Sequence, residues 1–154
     1  MPFQLTYHSI ATRKITKADL KSIMTSATKN NKTRGITGCL IYHNNFFLQI
    51  LEGEREVVLE LFNTIKHDDR NEQVILLSSD ESEDRLFTEW AMAYYHVQDQ
   101  KELSLEEENI KNNLIELSDS SAKPNFTLRV FWYNVRQILL SEGYYRGRLF
   151  IGDH

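Results

Sequence analysis

The sequence predicts an α+β fold in which an antiparallel-rich sheet carries two helices on one face. Three patterns support this prediction: an apolar–polar alternation near the N-terminus, two helical stripes of apolar residues, and short apolar runs bounded by turn residues. The predicted elements follow one another in the order βαββαββ, which is typical of a ferredoxin-like layout. We expect two further helices near the C-terminus to cover the opposite face of the sheet.

The first predicted strand covers residues 3–9, where polar and apolar residues alternate as on a half-buried strand. Thr16 and Asp19 then resemble a capping box and predict the start of a helix. The apolar stripe of this helix runs to about Asn31, and Gly35 marks the exit of the chain from it. These features predict the first strand–helix unit.

The rest of the predicted sheet is built around a hairpin and a second amphipathic helix. Asn44 and Asn45 favour a tight turn between two strands, because asparagine tolerates a positive φ. Acidic residues crowd the N-terminus of the second helix, as the helix dipole favours. The predicted elements are strands at 37–42 and 46–52, a helix at 54–66, a short strand at 74–77, a polar loop at 78–84 and a fifth strand at 90–97.

We expect a domain at residues 1–98 and a helical extension at 99–154. Residues 103–117 are predicted to form an acidic helix with a thin apolar stripe. Residues 126–140 are predicted to form a helix that is apolar over most of its circumference. A helix of the second kind is usually buried on two sides, so one side should meet the sheet and the other a second copy or a partner. This excess of apolar surface predicts a homo-oligomer.

The composition indicates a globular protein without a nucleic-acid or membrane partner. With 41% hydrophobic and 26% charged residues in 154, the chain can bury a core, and its net charge of −4 offers no basic footprint for nucleic acid. No apolar run approaches the length that spans a membrane, and the N-terminus lacks the apolar core of a signal peptide. The single cysteine, Cys39, fits a reducing compartment, so we expect a cytoplasmic protein.

Three polar residues lie on otherwise apolar faces and mark a candidate site: Tyr7 and Gln49 on strands, and Asn31 at the end of the first helix. A buried amide without a partner costs about 1–3 kcal/mol, so these groups either satisfy one another or bind a planar polar ligand. If both helices pack on one sheet face, Asp68 and Arg70 join them in the groove between the helices. In the alternative interpretation, Tyr7 and Gln49 bond only each other and Asn31 caps its helix.

Patterns for other chemistries are absent from the sequence or weakly supported. The five histidines have no metal-ligand spacing. We find no phosphate-binding glycine loop, no nucleophile elbow and no acid/base carboxylate pair. The run Gly35–Gly38 has the GxxG form of an RNA-binding loop, but its surroundings are not basic and a helix exit explains it better. We therefore predict neither an enzyme nor a metal site.

A set of short motifs in the first part of the chain matches the pattern of one protein family. The motifs are Tyr7-His8-Ser9, Asp19-Leu20, Asn31, Gly35-Ile36-Thr37-Gly38, Phe47-Leu48-Gln49-Ile50-Leu51-Glu52-Gly53, Asp68-Asp69-Arg70 and Trp90-Ala91-Met92. With them, about residues 1–98 resemble the BLUF domain, a sensor of blue light using FAD, and the run Leu48–Gly53 is the most specific part. The short helical tail is similar to that of stand-alone members, which signal through contact with another protein.

The resemblance implies an oxidised flavin, FAD or alternatively FMN, bound non-covalently between the two helices. Tyr7 would donate an electron and a proton to the excited flavin. Gln49 would link Tyr7 to flavin N5 and O4 and would reorient or tautomerise after light. Asn31 would hold the pyrimidine edge at N3 and O4. The other residues implied to line the cofactor are Asn30, Asp68 and Arg70.

The resemblance also implies a route by which the light signal leaves the site. Ser9, Trp90 and Met92 would relay the hydrogen-bond change at Gln49, with Trp90 and Met92 on the fifth strand next to it. The output would be contact with an unknown downstream protein. Asn71 stands where many relatives have His, which affects the contacts at that end of the flavin. A small flavin-dependent reductase and a ligand-free regulatory module are the alternative functions.

Overall fold

The computed structural model describes residues 1–13, 15–43, 45–85, 87, 90–96, 109, 112 and 125–140, with the backbone alone at 17, 90–96, 139 and 140. Its elements are β1 (Phe3–Ala11), α1 (Lys17–Arg34), β2 (Thr37–His43), β3 (Phe46–Gly53), α2 (Arg55–Lys66), β4 (Asn71–Glu81), β5 (Trp90–His96) and α3 (Phe126–Leu140). Helices α1 and α2 pack on one face of the sheet and α3 packs on the other. The predicted α+β fold is therefore confirmed.

The five strands lie in the order β4-β1-β3-β2-β5. Strand β1 pairs antiparallel with β3 and β4, and β2 pairs antiparallel with β3, whereas β5 runs parallel to β2. The prediction of an antiparallel-rich sheet is correct. In the β1–β3 ladder, Tyr7 lies directly opposite Gln49. Two of the three residues that mark the candidate site therefore meet across neighbouring strands inside the sheet.

The alternation of polar and apolar residues predicts that β1 is half-buried. In the structure, β1 is buried on both faces. Its residues Phe3 and Tyr7 pack against α2, while Gln4 and Thr6 are fully buried on the opposite face. A buried polar side chain is tolerated when it is hydrogen-bonded. Gln4 has such partners, since its Nε2 donates to Glu52 Oε2 at 2.7 Å. The prediction was wrong because a helix far along the chain covers the polar face.

Helix α1 begins at the predicted capping box and ends later than predicted. The Asp19 N–H donates to Thr16 Oγ1 at 3.1 Å, and the Thr16 N–H donates to Asp19 Oδ2 at 2.9 Å. The helix runs to Arg34, and Gly35 ends it in the left-handed conformation, with φ 68° and ψ 27°. Asn31 therefore lies within the last turn. The alternative in which the Asn31 side chain caps this helix is wrong.

Strand β4 is much longer than the predicted strand at 74–77, and the loop predicted at 78–84 is wrong over its first half. The strand spans Asn71–Glu81 and pairs with β1 along the edge of the sheet. Its polar residues are paired by α3: Ser78 Oγ lies 2.7 Å from Thr127 Oγ1, which also donates to Asp80 Oδ2 at 2.8 Å. Polar composition thus suggested a loop where an edge strand lies.

Helix α3 covers the sheet face opposite α1 and α2, as predicted for the helix at 126–140. Its buried residues Phe131 and Val135 pack in one cluster with Ile41 and Leu48 of the sheet. Burial extends to both flanks of this contact, at Asn134 on one flank and at Trp132, which packs against Phe87, on the other. Among the apolar side chains of α3 that the structure describes, Phe126 is the one that is exposed, at 53%. The apolar surface that predicts a homo-oligomer is therefore largely covered within one copy.

Two remaining predictions concern the tail and the membrane. The helix predicted at 103–117 lies outside the described residues, apart from the exposed Asn109 and Asn112. Over the parts of the chain that the structure describes, no helix is both long and apolar enough to cross a membrane.

Candidate functional site

A cleft opens between α1 and α2, above the middle of the sheet. It is open to solvent and has a cavity volume of about 230 Å³. Its walls are largely apolar, with Ile23 and Ala27 from α1 and Leu61 and Ile65 from α2. The six residues predicted to line a cofactor all border this cleft: Tyr7, Asn30, Asn31, Gln49, Asp68 and Arg70. Residues remote in sequence are thus brought together in one place.

The floor of the cleft is formed by a direct contact between Tyr7 and Gln49. The Tyr7 hydroxyl donates to Gln49 Oε1 at 2.5 Å. Burial raises the pKa of the Tyr7 hydroxyl well above its ordinary range, and the Asp68 carboxylate raises it further. The phenol is therefore neutral and remains a hydrogen-bond donor at physiological pH.

The Gln49 amide is only half satisfied by this contact. An amide offers one acceptor oxygen and two donor protons, and Tyr7 uses the oxygen. Within the described residues, no hydrogen bond is made by Gln49 Nε2. The interpretation in which Tyr7 and Gln49 bond each other is thus correct about their contact but leaves the amide N–H groups without a partner. A hydrogen-bond acceptor on a ligand in the cleft would satisfy these N–H groups.

The last turns of α1 place Asn30 and Asn31 on the wall of the cleft. Asn31 is buried, with 3% of the residue exposed, and its amide has no hydrogen-bond partner among the residues that the structure describes. A buried amide without a partner is costly. The Asn31 amide therefore offers an adjacent donor and acceptor to a ligand edge with the complementary pair.

The turn after α2 brings an ion pair to the mouth of the cleft. Arg70 Nη2 lies 2.6 Å from Asp68 Oδ2, and the two side chains are 44% and 30% exposed. The Arg70 guanidinium lowers the pKa of Asp68, and the Asp68 carboxylate in turn raises the pKa of Arg70. Both groups are therefore charged at neutral pH. Because the pair is partly exposed, it orients the two side chains and stabilises the fold only modestly.

Asn71 has a role that sequence reasoning did not assign. Its Nδ2 donates to the carbonyl oxygens of Ile65, at 3.2 Å, and of Asp68, at 3.0 Å. These bonds tie the last turn of α2 to the turn that carries Asp68 and Arg70. Asparagine at this position was visible only as a departure from the usual His. Two further polar residues of the cleft, Ser26 and Thr64, were also missed, because each looks like an exposed helix position.

Of the three predicted relay residues, Ser9 is the one whose side chain lies in the described part of the chain. Ser9 is fully buried on the same side of β1 as Tyr7, and its hydroxyl has no hydrogen-bond partner within the described residues. Trp90 and Met92 align with Gly38 and Cys39 of β2. Strand β5 pairs with β2, which separates it from β3, the strand of Gln49. The side chains of Trp90 and Met92 lie outside the described part.

Comparison with known proteins places this geometry in a family. A model described as "Sensors of blue-light using FAD", the BLUF family, matches residues 3–93. The photoactivated adenylate cyclase subunit beta of Euglena gracilis is 37% identical over 89 residues, which are 57% of this chain and 10% of that protein. The chain thus spans about a tenth of the curated relatives that it matches.

Two solved structures are similar over nearly the whole chain. The dark-state structure of BlrB, a BLUF protein, has a TM-score of 0.62 at 26% identity and covers 92% of this chain and 97% of its own. The photo-activated state of BlsA has a TM-score of 0.62 at 28% identity, with the same two coverages. The chain belongs to the BLUF family of blue-light sensors that use a flavin.

Proposed function

We propose that this protein is a blue-light photoreceptor that binds flavin non-covalently in the cleft between α1 and α2. The observation that carries the proposal is the Tyr7–Gln49 hydrogen bond on the floor of that cleft, with amide groups of Gln49 and Asn31 left for a ligand. A planar heterocycle with a donor–acceptor edge satisfies both amides. The flavin supplies light absorption and, once excited, an acceptor for one electron and one proton.

The chain supplies the electron, the proton and the rearrangement. Tyr7 would give up one electron and its hydroxyl proton, and both would return to it within the light reaction, so the flavin is oxidised again and the redox balance closes; the amide arrangement alone then relaxes in the dark. Because the Tyr7 hydroxyl donates to Gln49 Oε1, the proton leaves along a bond that already exists. The Gln49 amide then reorients or tautomerises, which exchanges its donor and acceptor positions without a backbone movement. This exchange is the light signal.

The remaining cleft residues bind and orient the cofactor. Asn31 would hold the polar edge of the ring, and Asn30, Asp68 and Arg70, which border the same cleft, would line the cofactor. Asn71 holds the turn that carries the Asp68–Arg70 pair through its bonds to Ile65 and Asp68. We propose FAD as the cofactor, in keeping with the family description, and FMN is the alternative.

The signal is proposed to reach α3 through the sheet. Ser9, Trp90 and Met92 are the proposed relay, and the buried Ser9 hydroxyl, on the cleft side of β1, has no hydrogen-bond partner within the described residues. A second, observed connection lies on the other face: Gln4 links Glu52 of β3 to Asn125. Gln4 Nε2 donates to Glu52 at 2.7 Å, and Gln4 Oε1 accepts from Asn125 Nδ2 at 2.7 Å.

Asn125 in turn starts helix α3. Its Oδ1 accepts from the Leu128 N–H at 2.9 Å, as an N-cap does. We propose that residues 1–98 form the sensor and that 99–154 form the output extension, which contacts a downstream protein. A cytoplasmic location and a homo-oligomer belong to the same proposal. The buried free thiol of Cys39 supports the first, and the exposed Phe126 is the strongest support for the second.

The alternative of a small flavin reductase is not favoured. A BLUF domain is a light sensor, so the expectation that the matched region is not an enzyme is confirmed. The adenylate cyclase relatives are named for an activity of the whole protein. The region that matches this chain is about a tenth of that protein.

An absorption spectrum before and after blue light tests the proposal. We expect a yellow protein whose flavin bands shift slightly to the red and return in the dark. Gln49→Leu should keep the flavin and lose the shift, while the matched variant Gln73→Leu, on the exposed edge strand, should keep both. Flavin-loaded wild-type protein without a shift would contradict the proposal, and so would a normal shift in Gln49→Leu.

A further inference from the structure

Thr6 lies directly before Tyr7 on β1 and points to the opposite face of the sheet. Side chains alternate along a strand, so Tyr7 faces the cleft and Thr6 faces away from it. Thr6 is fully buried, and its Oγ1 donates a hydrogen bond of 2.8 Å to the backbone carbonyl of Gln49. Gln49 is thus held by two consecutive residues of one strand, its side chain by Tyr7 and its backbone by Thr6.

We propose that Thr6 is a positioning residue for the light switch: it fixes the backbone of Gln49, so that light rearranges the amide alone. The inference rests on the proposed role of Gln49 as the switch. It concerns a residue outside the cleft, since Thr6 does not border the cavity where the flavin is proposed to bind.

Three properties of the contact suit this role. A β-branched side chain has few rotamers, so the Thr6 hydroxyl is held in place. The hydroxyl is buried, so breaking its bond to Gln49 leaves it without water as a substitute partner. Finally, the contact links neighbouring strands. In the β1–β3 ladder Thr6 lies opposite Ile50, and its hydroxyl donates to the carbonyl of the preceding residue, Gln49. It braces β3 at the switch position.

A braced backbone affects the return to the dark state. When the backbone of Gln49 is fixed, its amide must turn back within a packed site by side-chain torsions alone. If the backbone of Gln49 can move, the free-energy barrier to the return of the amide is lower. Loss of the Thr6 hydroxyl should therefore speed dark recovery, while the cleft and its flavin contacts stay unchanged.

The test compares Thr6→Val, which removes the hydroxyl, with Thr6→Ser, which keeps it. We expect flavin-loaded Thr6→Val to recover in the dark about three- to tenfold faster than wild type, the effect of one typical hydrogen bond on a barrier. Thr6→Ser should recover within about twofold of wild type. Light-minus-dark infrared spectra of Thr6→Val should gain backbone amide bands, because the backbone then moves with the amide. Thr25→Val, which removes the helix bond from Thr25 Oγ1 to Lys21 O, is the control and should recover as wild type.

Several outcomes would overturn the inference. Equal recovery of Thr6→Val and wild type would do so, as would equal acceleration in Thr6→Ser and Thr6→Val, which would indicate packing and not the hydroxyl. If Thr6→Val does not bind flavin, Thr6→Ala replaces it in the comparison with Thr6→Ser, and the same outcomes apply. A wild-type holoprotein without any light-induced shift would remove the proposed function itself, whereas a normal wild-type shift with unchanged Thr6→Val kinetics removes the inference alone.

Discussion

Gln4→Glu is a sharp test of the buried polar connection between the sheet and α3. The substitution keeps the shape of the side chain but replaces the Nε2 donor with an oxygen, 2.7 Å from Glu52 Oε2. Two carboxylates this close and this buried cannot both be ionised, so one proton must be retained. The oxygen that accepts from Asn125 is preserved, so the helix cap itself is not removed.

The size of the effect follows from the proton that must be kept. Holding a glutamate of ordinary pKa, about 4.3, protonated at pH 7 costs about 3.7 kcal/mol of folding free energy, and at pH 5 about 1 kcal/mol. The pKa of the pair is raised in the folded state, so the folded state binds more protons than the unfolded state. The variant is therefore relatively more stable at low pH, and it loses stability as the pH rises through the window above about 4.3.

Urea unfolding at pH 5, 6 and 7 measures this effect. Gln73→Glu is the matched control, because Gln73 lies on the exposed edge strand and gains no buried neighbour. The difference between the two variants should grow by about 1.4 kcal/mol per pH unit. A difference that does not depend on pH, or no destabilisation of Gln4→Glu at pH 7, would refute the reasoning that Gln4 and Glu52 form a dry, buried contact.

Three further predictions concern the cleft and its supports. Asn31→Ala should weaken flavin binding about 5- to 150-fold in a fluorescence titration, since a ligand edge loses its partner amide, and the exposed Asn63→Ala should not. Gly35→Ala should cost about 1–2 kcal/mol in urea unfolding from the left-handed backbone alone, because a Cβ at Gly35 meets no atom within 4 Å; an unchanged midpoint would contradict this. The pKa of Asp68 is lowered by Arg70, so this pair stabilises the folded state above the ordinary value of 3.8 and ceases to do so as the pH falls below it. Asp68→Asn should therefore flatten the acid limb of the stability curve, and an unchanged limb would argue against the pair.

Much of the fold could be predicted because local patterns and burial agree along most of the chain. The capping box at Thr16 and the positive φ of Asn45, 78°, follow from side-chain chemistry that acts within a few residues. The end of α1 was predicted too early, since apolar periodicity stops near Asn31 while the backbone continues until Gly35 permits the left-handed turn. Local signals thus fixed where α1 begins better than where it ends.

The errors share one cause, which is packing by residues distant in sequence. Ser78 and Asp80 look like loop residues, and they belong to a strand because Thr127 of α3 pairs with them. Gln4 and Thr6 have the polar character of a solvent-exposed strand face, but they are buried because α3 covers them. The neighbour of β5 depends on sheet order, which no local pattern reveals.

The candidate site was predicted more fully than its supports. Tyr7, Asn31 and Gln49 are polar residues on apolar stripes, so their placement in one cleft could be inferred from the faces they occupy. Asn71 and Thr6 act through bonds to backbone carbonyls, at Ile65, Asp68 and Gln49. Such bonds depend on the exact position of the backbone, so composition and spacing give no signal for them.

The central claim is that Tyr7 is the group that gives the excited flavin its electron and proton. The most direct test is the light-minus-dark absorption spectrum of Tyr7→Phe, with Tyr133→Phe on α3 as the matched control. We predict that Tyr7→Phe binds flavin and shows no reversible red shift, while the control shifts as wild type does. A normal red shift in flavin-loaded Tyr7→Phe would contradict the account.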